Sequence, residues 1–275
     1  QESAGIVTTY YDEKKQRSVM PAHKDFGLVL SVFDNPKILK KRLKGRSAIG
    51  HNRYSTSGSS RNPANIQPFR VHYKNGNVAI AHNGNLSNAR QIRDRFTNEG
   101  VLFQSTSDTE LILHLISHST KDEQLDQVMD AIQQIEGAYC LVILTDDKLI
   151  GVRDPNGFRP LCLGKKDGAY CLASETCAFD INGAEFIRDI EPGEVIVIDH
   201  EADLTDEPKS FHIAPKKGTG TSQCIFEYVY FSRPDSHIFG AMVDKVRRSL
   251  GKELAYEYPI DNIIKKRNPE LLPVE

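Results

Sequence analysis

The chain has no CxxC pair, no glycine-rich phosphate-binding motif and no apolar run long enough to span a membrane. A dinucleotide or P-loop site would need GxGxxG or GxxxxGK followed by Ser or Thr, and a membrane helix needs roughly 18 apolar residues. The net charge is −2 and the pI is about 6.5, so nucleic acid is not an expected partner. Five cysteines, an odd number in 275 residues, indicate a reduced, cytoplasmic protein without disulfides.

Short apolar segments dominate the rest of the chain. They are bounded by Gly, Asn, Asp and Lys turns and predict strands near residues 6–7, 27–30, 77–81, 139–144, 149–152, 169–173 and 195–198. Helical spacing predicts helices over 86–96, 125–135 and 241–256, and Ser107 with Glu110 predicts a capping box at the start of another helix. Asp146-Asp147-Lys148 predicts a tight hairpin between two of these strands. Hairpins next to short helices predict an α+β fold.

Three polar clusters lie between residues 51 and 110, namely His51-Asn52-Arg53-Tyr54, His82-Asn83-Gly84-Asn85 and Ser107-Asp108-Thr109-Glu110. Arginine binds carboxylates through two parallel hydrogen bonds, and a carboxylate at a helix start suits an ammonium group. An Asn side chain beside a Gly N–H, at a strand-to-helix turn, suits an oxyanion hole. Together the clusters match a small zwitterion such as an amino acid, but none contains an obvious activated nucleophile.

Each cluster also has an ordinary structural interpretation. Asn83 and Gly84 suit a turn that leads into a helix, with Asn85 as its N-cap. Arg53 suits the protein surface, and Asp108 suits the first turn of a helix without any ligand. The binding-site hypothesis therefore depends on the order and joint content of the three clusters.

That order resembles the glutaminase domain of the class II, N-terminal-nucleophile glutamine amidotransferases. Residues 153–161 (RDPNGFRPL), 224–236 (CIFEYVYFSRPDS) and 1–6 (QESAGI) are similar to segments of the amidophosphoribosyltransferases within that family. The similarity extends from residue 1 to about 255. It implies a four-layer αββα sandwich with two antiparallel sheets between helical layers, from which the family's N-terminal strand is missing.

The resemblance also implies roles for individual residues. By analogy, Arg53 binds the carboxylate of glutamine and Asp108 binds its α-ammonium group. Asn83 and Gly84 form the oxyanion hole, and Tyr54 and Thr56 line the pocket. In this family an N-terminal cysteine attacks the side-chain amide, and the released ammonia displaces pyrophosphate from phosphoribosyl pyrophosphate in purine synthesis.

The family's nucleophile would precede Gln1, so we expect this chain alone to bind glutamine without hydrolysing it. Residues 1–223 are predicted to form the glutaminase domain without its N-terminal segment, and 224–275 the truncated start of a phosphoribosyltransferase domain. No cofactor is expected in this chain. The full-length enzyme is expected to use Mg²⁺, and Cys224 matches one ligand of a 4Fe–4S cluster found in some members. We expect a homo-oligomer at full length, without membrane or nucleic-acid partners.

Two alternatives remain open at this point. One is a non-catalytic glutamine-binding or regulatory module that has lost its cysteine. The other is a different class II enzyme, such as a glucosamine-phosphate or asparagine synthetase, although the Arg233-Pro234-Asp235-Ser236 run argues against it.

Overall fold

The computed structural model describes residues 2–53, 62–200, 206–213 and 220–259. Strands and helices alternate irregularly along the chain, which confirms the predicted α+β class. The strands are β1 (Ser3–Asp12), β2 (Arg17–Val19), β3 (Ala22–Phe26), β4 (Ser47–Arg53), β5 (Phe69–Tyr73), β6 (Gly76–Leu86), β7 (Gly137–Thr145), β8 (Lys148–Arg153), β9 (Cys162–Lys166), β10 (Ala169–Ala173), β11 (Glu185–Asp189), β12 (Glu194–Asp199), β13 (Lys209–His212), β14 (His237–Ile238) and β15 (Ala241–Met242).

The helices vary widely in length, from one turn to four. They are α1 (Val29–Val32), α2 (Ala89–Asn98), α3 (Thr109–His118), α4 (Gln124–Ile132), α5 (Cys177–Asn182) and α6 (Val243–Glu257). A 3₁₀ turn covers Pro63–Asn65, and π-helical turns cover Ile38–Arg42 and Glu227–Phe231. Within the part of the chain that the structure describes, no helix is both long and apolar enough to cross a membrane.

The central element is a six-stranded antiparallel sheet in the order β13-β12-β8-β7-β6-β5. Its inner strands are nearly continuous apolar runs, as in β7, because both of their faces are covered. The turn at Asp146 and Asp147 joins β7 to β8 as a tight hairpin, which confirms the hairpin predicted from the sequence. The pairing of β6 with β7 is continuous from Val78 to Leu86, so it fixes the position of every β6 residue between them.

One face of this sheet packs against α2, α3 and α4. The cluster contains Ile80 from β6 and Ile143 from β7, together with Phe96, Leu111 and Val128 from the three helices. All five side chains are almost fully withdrawn from water. Burial of such side chains stabilises a fold by roughly 1.5–3 kcal/mol each, so this layer supplies much of the driving force for folding.

The other face carries two smaller sheets. In the first, β1 pairs with β2, β3 and β4, and Val7 and Ile49 pack against Ala79 and Ala81 of β6. In the second, β9 lies between β10 and β11 and contributes Leu163 to a separate apolar cluster. The sandwich expected from the resemblance is thus present, with the one-turn helix α1 packed on β1 and β3.

The sequence predicted one strand that is absent and placed the start of one helix too early. The predicted strand at 27–30 is instead a turn at Gly27 followed by α1. The helix predicted from Leu86 begins at Ala89, because β6 continues to Leu86 and keeps pairing with β7. The helices predicted over 125–135 and 241–256 are confirmed as α4 and α6, each within a few residues.

Candidate functional site

The second and third polar clusters meet along β6. Asn83 and Gly84 lie within the strand, and Asp108 approaches it as the N-cap residue of α3. The Asp108 Oδ2 accepts the backbone N–H of Leu86 at 2.9 Å, while its Oδ1 lies 3.5 Å from Nδ1 of His82. A carboxylate is therefore held two residues beyond Gly84 on the same strand.

The Asp108 carboxyl stays ionised at neutral pH. Its side chain is mostly buried, and burial alone would raise its pKa. The hydrogen bond and charge of His82, with the backbone N–H groups of Leu86 and Thr109, outweigh burial and lower the pKa. Asp108 is thus a fixed anion in the structure, and its role in binding an ammonium group stays a prediction.

The first cluster reaches β6 through His51 in β4. His51 is half-buried, and its desolvation followed by the charge of His82 lowers its pKa to about 4. His51 is consequently neutral at physiological pH and adds no positive charge beside the site.

Arg53 ends β4 and is only 9% exposed. Its position is set by β1, since Ser3 pairs with it and the backbone N–H of Glu2 donates to its carbonyl oxygen at 3.0 Å. Arg53 is therefore not the exposed surface arginine that the sequence also allowed. A guanidinium buried in this way requires an anionic or polar environment. The other residues predicted beside it, Tyr54 and Thr56, lie outside the described residues.

Gly84 could not be another residue in this backbone. Its φ is +149°, and a Cβ there would lie 2.0 Å from the carbonyl oxygen of Ala138 in β7. The sequence placed Asn83 and Gly84 at a strand-to-helix turn with Asn85 as N-cap, and that placement is wrong. Asn83 and Gly84 pair with Cys140 and Tyr139 inside the sheet, and Asn88 is the residue that precedes α2.

The capping box predicted from Ser107 and Glu110 is also wrong. The Glu110 carboxylate instead accepts the backbone N–H groups of Gln104 and Ser105 at 2.7 and 2.8 Å, and the Ser105 hydroxyl at 2.6 Å. It holds the loop that precedes α3, because buried carboxylates need several donors. Glu110 thereby positions Asp108 indirectly.

Two side chains that the sequence interpretation overlooked also shape β6. Gln67 is buried and brackets His82, accepting its N–H at 2.7 Å and donating to its carbonyl oxygen at 3.4 Å. Arg159 donates from Nη2 to Oδ1 of Asn83 at 3.0 Å. Arg159 belongs to the 153–161 segment that carried the family resemblance, but nothing local to it indicated a contact with Asn83.

Cys140 is the cysteine paired directly with Asn83 across the sheet, and its environment is not that of a nucleophile. Burial raises its thiol pKa, and its Sγ donates to the carbonyl oxygen of Arg159 at 3.3 Å. Burial likewise raises the thiol pKa values of Cys162, Cys171 and Cys177. A nucleophilic cysteine needs a lowered pKa, so none of these four is activated.

Cys224 stands apart from the other cysteines. It is partly exposed, and its backbone N–H donates to the carbonyl oxygen of Phe158 at 3.1 Å. Among the described residues, no group of three or more His, Cys, Asp or Glu side chains is arranged to hold a metal ion. An iron–sulfur cluster needs four ligands, so the described residues alone do not fit one.

Comparison with known proteins gives a family match to the part of the chain that contains the three polar clusters. Residues 51–180 match the sequence profile of the glutamine amidotransferase domain family. The chain is 44% identical over 262 residues to an amidophosphoribosyltransferase of Bacillus subtilis, which covers 95% of the chain and 52% of the relative. It is 46% identical to a chloroplastic amidophosphoribosyltransferase of Glycine max, with 95% of the chain and 43% of the relative covered.

Solved structures agree with the sequence matches. The solved structure of an allosteric regulatory enzyme of purine biosynthesis superimposes on this chain with a TM-score of 0.84 at 42% sequence identity. The superposition covers 94% of this chain and 53% of the other chain. The glutamine phosphoribosylpyrophosphate amidotransferase of B. subtilis, complexed with ADP and GMP, gives 0.82 at the same identity and coverage. The chain therefore spans about half the length of the proteins it matches.

Proposed function

We propose that this chain forms the glutamine-hydrolysing part of an amidophosphoribosyltransferase, because residues 51–180 match the glutamine amidotransferase domain family and 95% of the chain is similar to such an enzyme. Ammonia released from glutamine would then displace pyrophosphate from phosphoribosyl pyrophosphate to give phosphoribosylamine. The observation that carries this proposal is the ionised, mostly buried carboxylate of Asp108, hydrogen-bonded to the strand that also holds Asn83 and Gly84.

The proposed binding mode uses both ends of the substrate. Asp108 accepts hydrogen bonds from the α-ammonium group of glutamine, and the buried guanidinium of Arg53 binds its carboxylate. The side-chain amide of glutamine then lies at Asn83 and Gly84. Their Nδ2–H and backbone N–H would stabilise the oxyanion that forms when a nucleophile attacks the amide carbon.

The reaction divides into two displacement steps. The thiol sulfur adds to the side-chain carbonyl carbon while the base takes the thiol proton, and the base then passes this proton to the leaving nitrogen. The tetrahedral intermediate collapses to a thioester as ammonia departs. Water then hydrolyses the thioester to glutamate and restores the thiol. By family resemblance the thiol is an N-terminal cysteine with its own α-amino group as base, and the four cysteines with raised pKa values supply no substitute for it.

We therefore propose that the chain binds glutamine and that none of the four cysteines with raised pKa values cleaves it. Calorimetric titration with L-glutamine measures the first part, and ammonia release in a coupled assay measures the second. Replacing Asp108 by Asn should weaken binding about 10- to 150-fold, since a hydrogen bond to a charged group contributes about 1.5–3 kcal/mol. Replacing Asp94 by Asn is the matched control, because Asp94 is exposed and pairs only loosely with Arg90.

Three outcomes would contradict this proposal. Equal affinities of the Asp108 and Asp94 variants would remove Asp108 from the site. Absence of glutamine binding would remove the site altogether. Clear ammonia release by the chain would show that one of its own cysteines is activated after all.

The remaining features of the enzyme are proposed on the resemblance alone. We propose that residues 1–223 form the glutaminase domain, that a phosphoribosyltransferase domain begins near 224, and that the complete protein is a cytoplasmic homo-oligomer. Mg²⁺ would assist pyrophosphate departure at the second domain, and Cys224 would be one ligand of an iron–sulfur cluster completed by residues elsewhere. The reading frame on both sides of this segment tests these points. A phosphoribosyltransferase sequence after it supports them, and an unrelated one favours a non-catalytic glutamine-binding module.

A further inference from the structure

The side-chain amide of Asn83 has a defined orientation. Its Oδ1 accepts the Nη2–H of Arg159 at 3.0 Å, and within the described part of the chain this is the hydrogen bond its side chain makes. A guanidinium donates hydrogen bonds and never accepts them, so the amide oxygen must face Arg159. The amide nitrogen, which is the group an oxyanion needs, consequently faces away from Arg159.

Arg159 is itself held from three directions. Its Nε lies 3.0 Å from Oε1 of Glu227 in an ion pair, although the alignment is not that of a hydrogen bond. Its guanidinium also stacks over the ring of Phe231 at 4.6 Å. Its backbone carbonyl accepts Nε–H of Arg153 at 2.9 Å. The Arg159 side chain is 19% exposed, so little solvent competes for it.

Glu227 is fixed as firmly as Arg159. Its side chain is 3% exposed, and its Oε2 accepts the Ser232 hydroxyl at 2.7 Å. Burial raises the pKa of Glu227, and the charge of Arg159 opposes that rise. Glu227 lies in the π-helical turn within the CIFEYVYFSRPDS segment, and this segment joins the Arg159 loop through the backbone bond from Cys224 to Phe158. A continuous polar connection therefore extends from Ser232 through Glu227 and Arg159 to Asn83.

We propose that Arg159 is a positioning residue for glutamine hydrolysis, which orients the Asn83 amide so that Nδ2 donates to the oxyanion, and that Glu227 holds Arg159 in place. This inference rests on the proposed function. Without Arg159 the amide is free to rotate between two orientations, because the terminal torsion of Asn is broad and roughly two-fold. In one of them an amide oxygen would face the developing oxyanion and repel it.

The effect should appear in kcat and not in KM. Oxyanion-hole donors act on the transition state, and removing one typically costs about 10²–10³-fold in kcat. Replacing Arg159 by Met misorients such a donor without removing it, so we expect a loss of about 10- to 100-fold in kcat with KM nearly unchanged. Arg159→Lys should recover part of the rate, since an ammonium group also donates without accepting. Glu227→Gln should show a smaller loss.

The experiment measures glutamine hydrolysis by the complete protein, with four variants in a double-mutant cycle: wild type, Asn83→Ala, Arg159→Met and the double variant. If Arg159 acts through Asn83, Arg159→Met will cost little once Asn83 is absent. A purely structural role would instead lower the rate equally in both backgrounds. Arg188→Met is the matched control, because Arg188 also pairs with a buried glutamate, Glu194, and should leave kcat unchanged.

The outcomes separate the two proposals. An active wild type, a reduced kcat for Arg159→Met and non-additivity with Asn83→Ala support the positioning role. An active wild type with additive losses, or with no loss in Arg159→Met, overturns the positioning role and leaves the proposed function intact. A complete wild-type protein that does not hydrolyse glutamine overturns the proposed function, and this inference fails with it. Thermal unfolding of each variant distinguishes a lost rate from a lost fold.

Discussion

Replacing Gly84 by Ala tests the backbone of the candidate site directly. The new Cβ would lie 2.0 Å from the carbonyl oxygen of Ala138 and 2.9 Å from Cα of Tyr139, whereas real Cβ contacts almost never fall below 3.0 Å. The β6 and β7 backbones must therefore separate by about 1 Å at this point. The φ of +149° adds a second penalty, because L-residues rarely adopt it.

The two penalties have separate magnitudes. An unfavourable positive φ costs about 1–3 kcal/mol. Separation of the strands weakens the adjacent ladder hydrogen bonds, and two such bonds contribute about 1–3 kcal/mol together. We expect Gly84→Ala to lower the free energy of unfolding by about 2–6 kcal/mol, which equilibrium unfolding in urea would detect as a lower midpoint.

Gly100→Ala is the control that isolates the backbone term. Gly100 follows α2 with a φ of +82°, and a Cβ added there would have no atom within 4 Å, so only the conformational cost of about 1–2 kcal/mol applies. Gly220→Ala, with open space and no positive φ, should change stability by less than about 0.5 kcal/mol. If the Gly84 and Gly100 variants lose the same stability, the close approach of β6 to β7 at Ala138 is refuted.

Two further predictions concern the carboxylates around α3. Glu110→Gln should lower the free energy of unfolding by about 2–3 kcal/mol, because its amide would place an N–H₂ group among the donors of Gln104 and Ser105. Urea unfolding measures this loss, and an equal loss in the exposed control variant Glu123→Gln would contradict the prediction. The pKa of Asp108 is lowered on folding, so its stabilisation is complete above the unfolded value near 3.8 and disappears as the pH falls through the lower folded pKa. Unfolding free energies measured from pH 6 to pH 2 should accordingly fall less steeply for Asp108→Asn than for the wild type, and identical acid limbs would rule out this contribution.

The sequence predicted the fold class wherever a local pattern matched a local structure. The apolar run over 139–144 and the turn at Asp146 and Asp147 predicted β7 and its hairpin, and helical spacing predicted α4. Boundaries failed where pairing overrode the local pattern. Asn85 looked like an N-cap, but β6 continues through it because β7 offers hydrogen-bonding partners as far as Gly137.

Arg53 and Asp108 were chosen from the sequence for their charge and position. The structure buries Arg53 at the end of β4 and holds the mostly buried carboxylate of Asp108 beside β6, and their roles in binding stay predictions. Their supporting residues were not predictable in the same way. Glu110 fits the spacing of a capping box, yet it bonds backward to the loop, since burial there requires donors that the capping box would not have supplied.

The contact between Arg159 and Asn83 shows most clearly why such support escapes prediction from local sequence. The two residues are 76 positions apart, and an isolated Asn-Gly pair gives no sign of which way its amide faces. The orientation is decided by a residue that can only donate, and that residue is in turn fixed by a buried carboxylate from a third part of the chain. A polar residue whose two ends have opposite hydrogen-bonding character is thus specified by its neighbours in space. For Asn83 this means that the chemistry expected of its nitrogen depends on Arg159, and on Glu227 behind it, as much as on Asn83 itself.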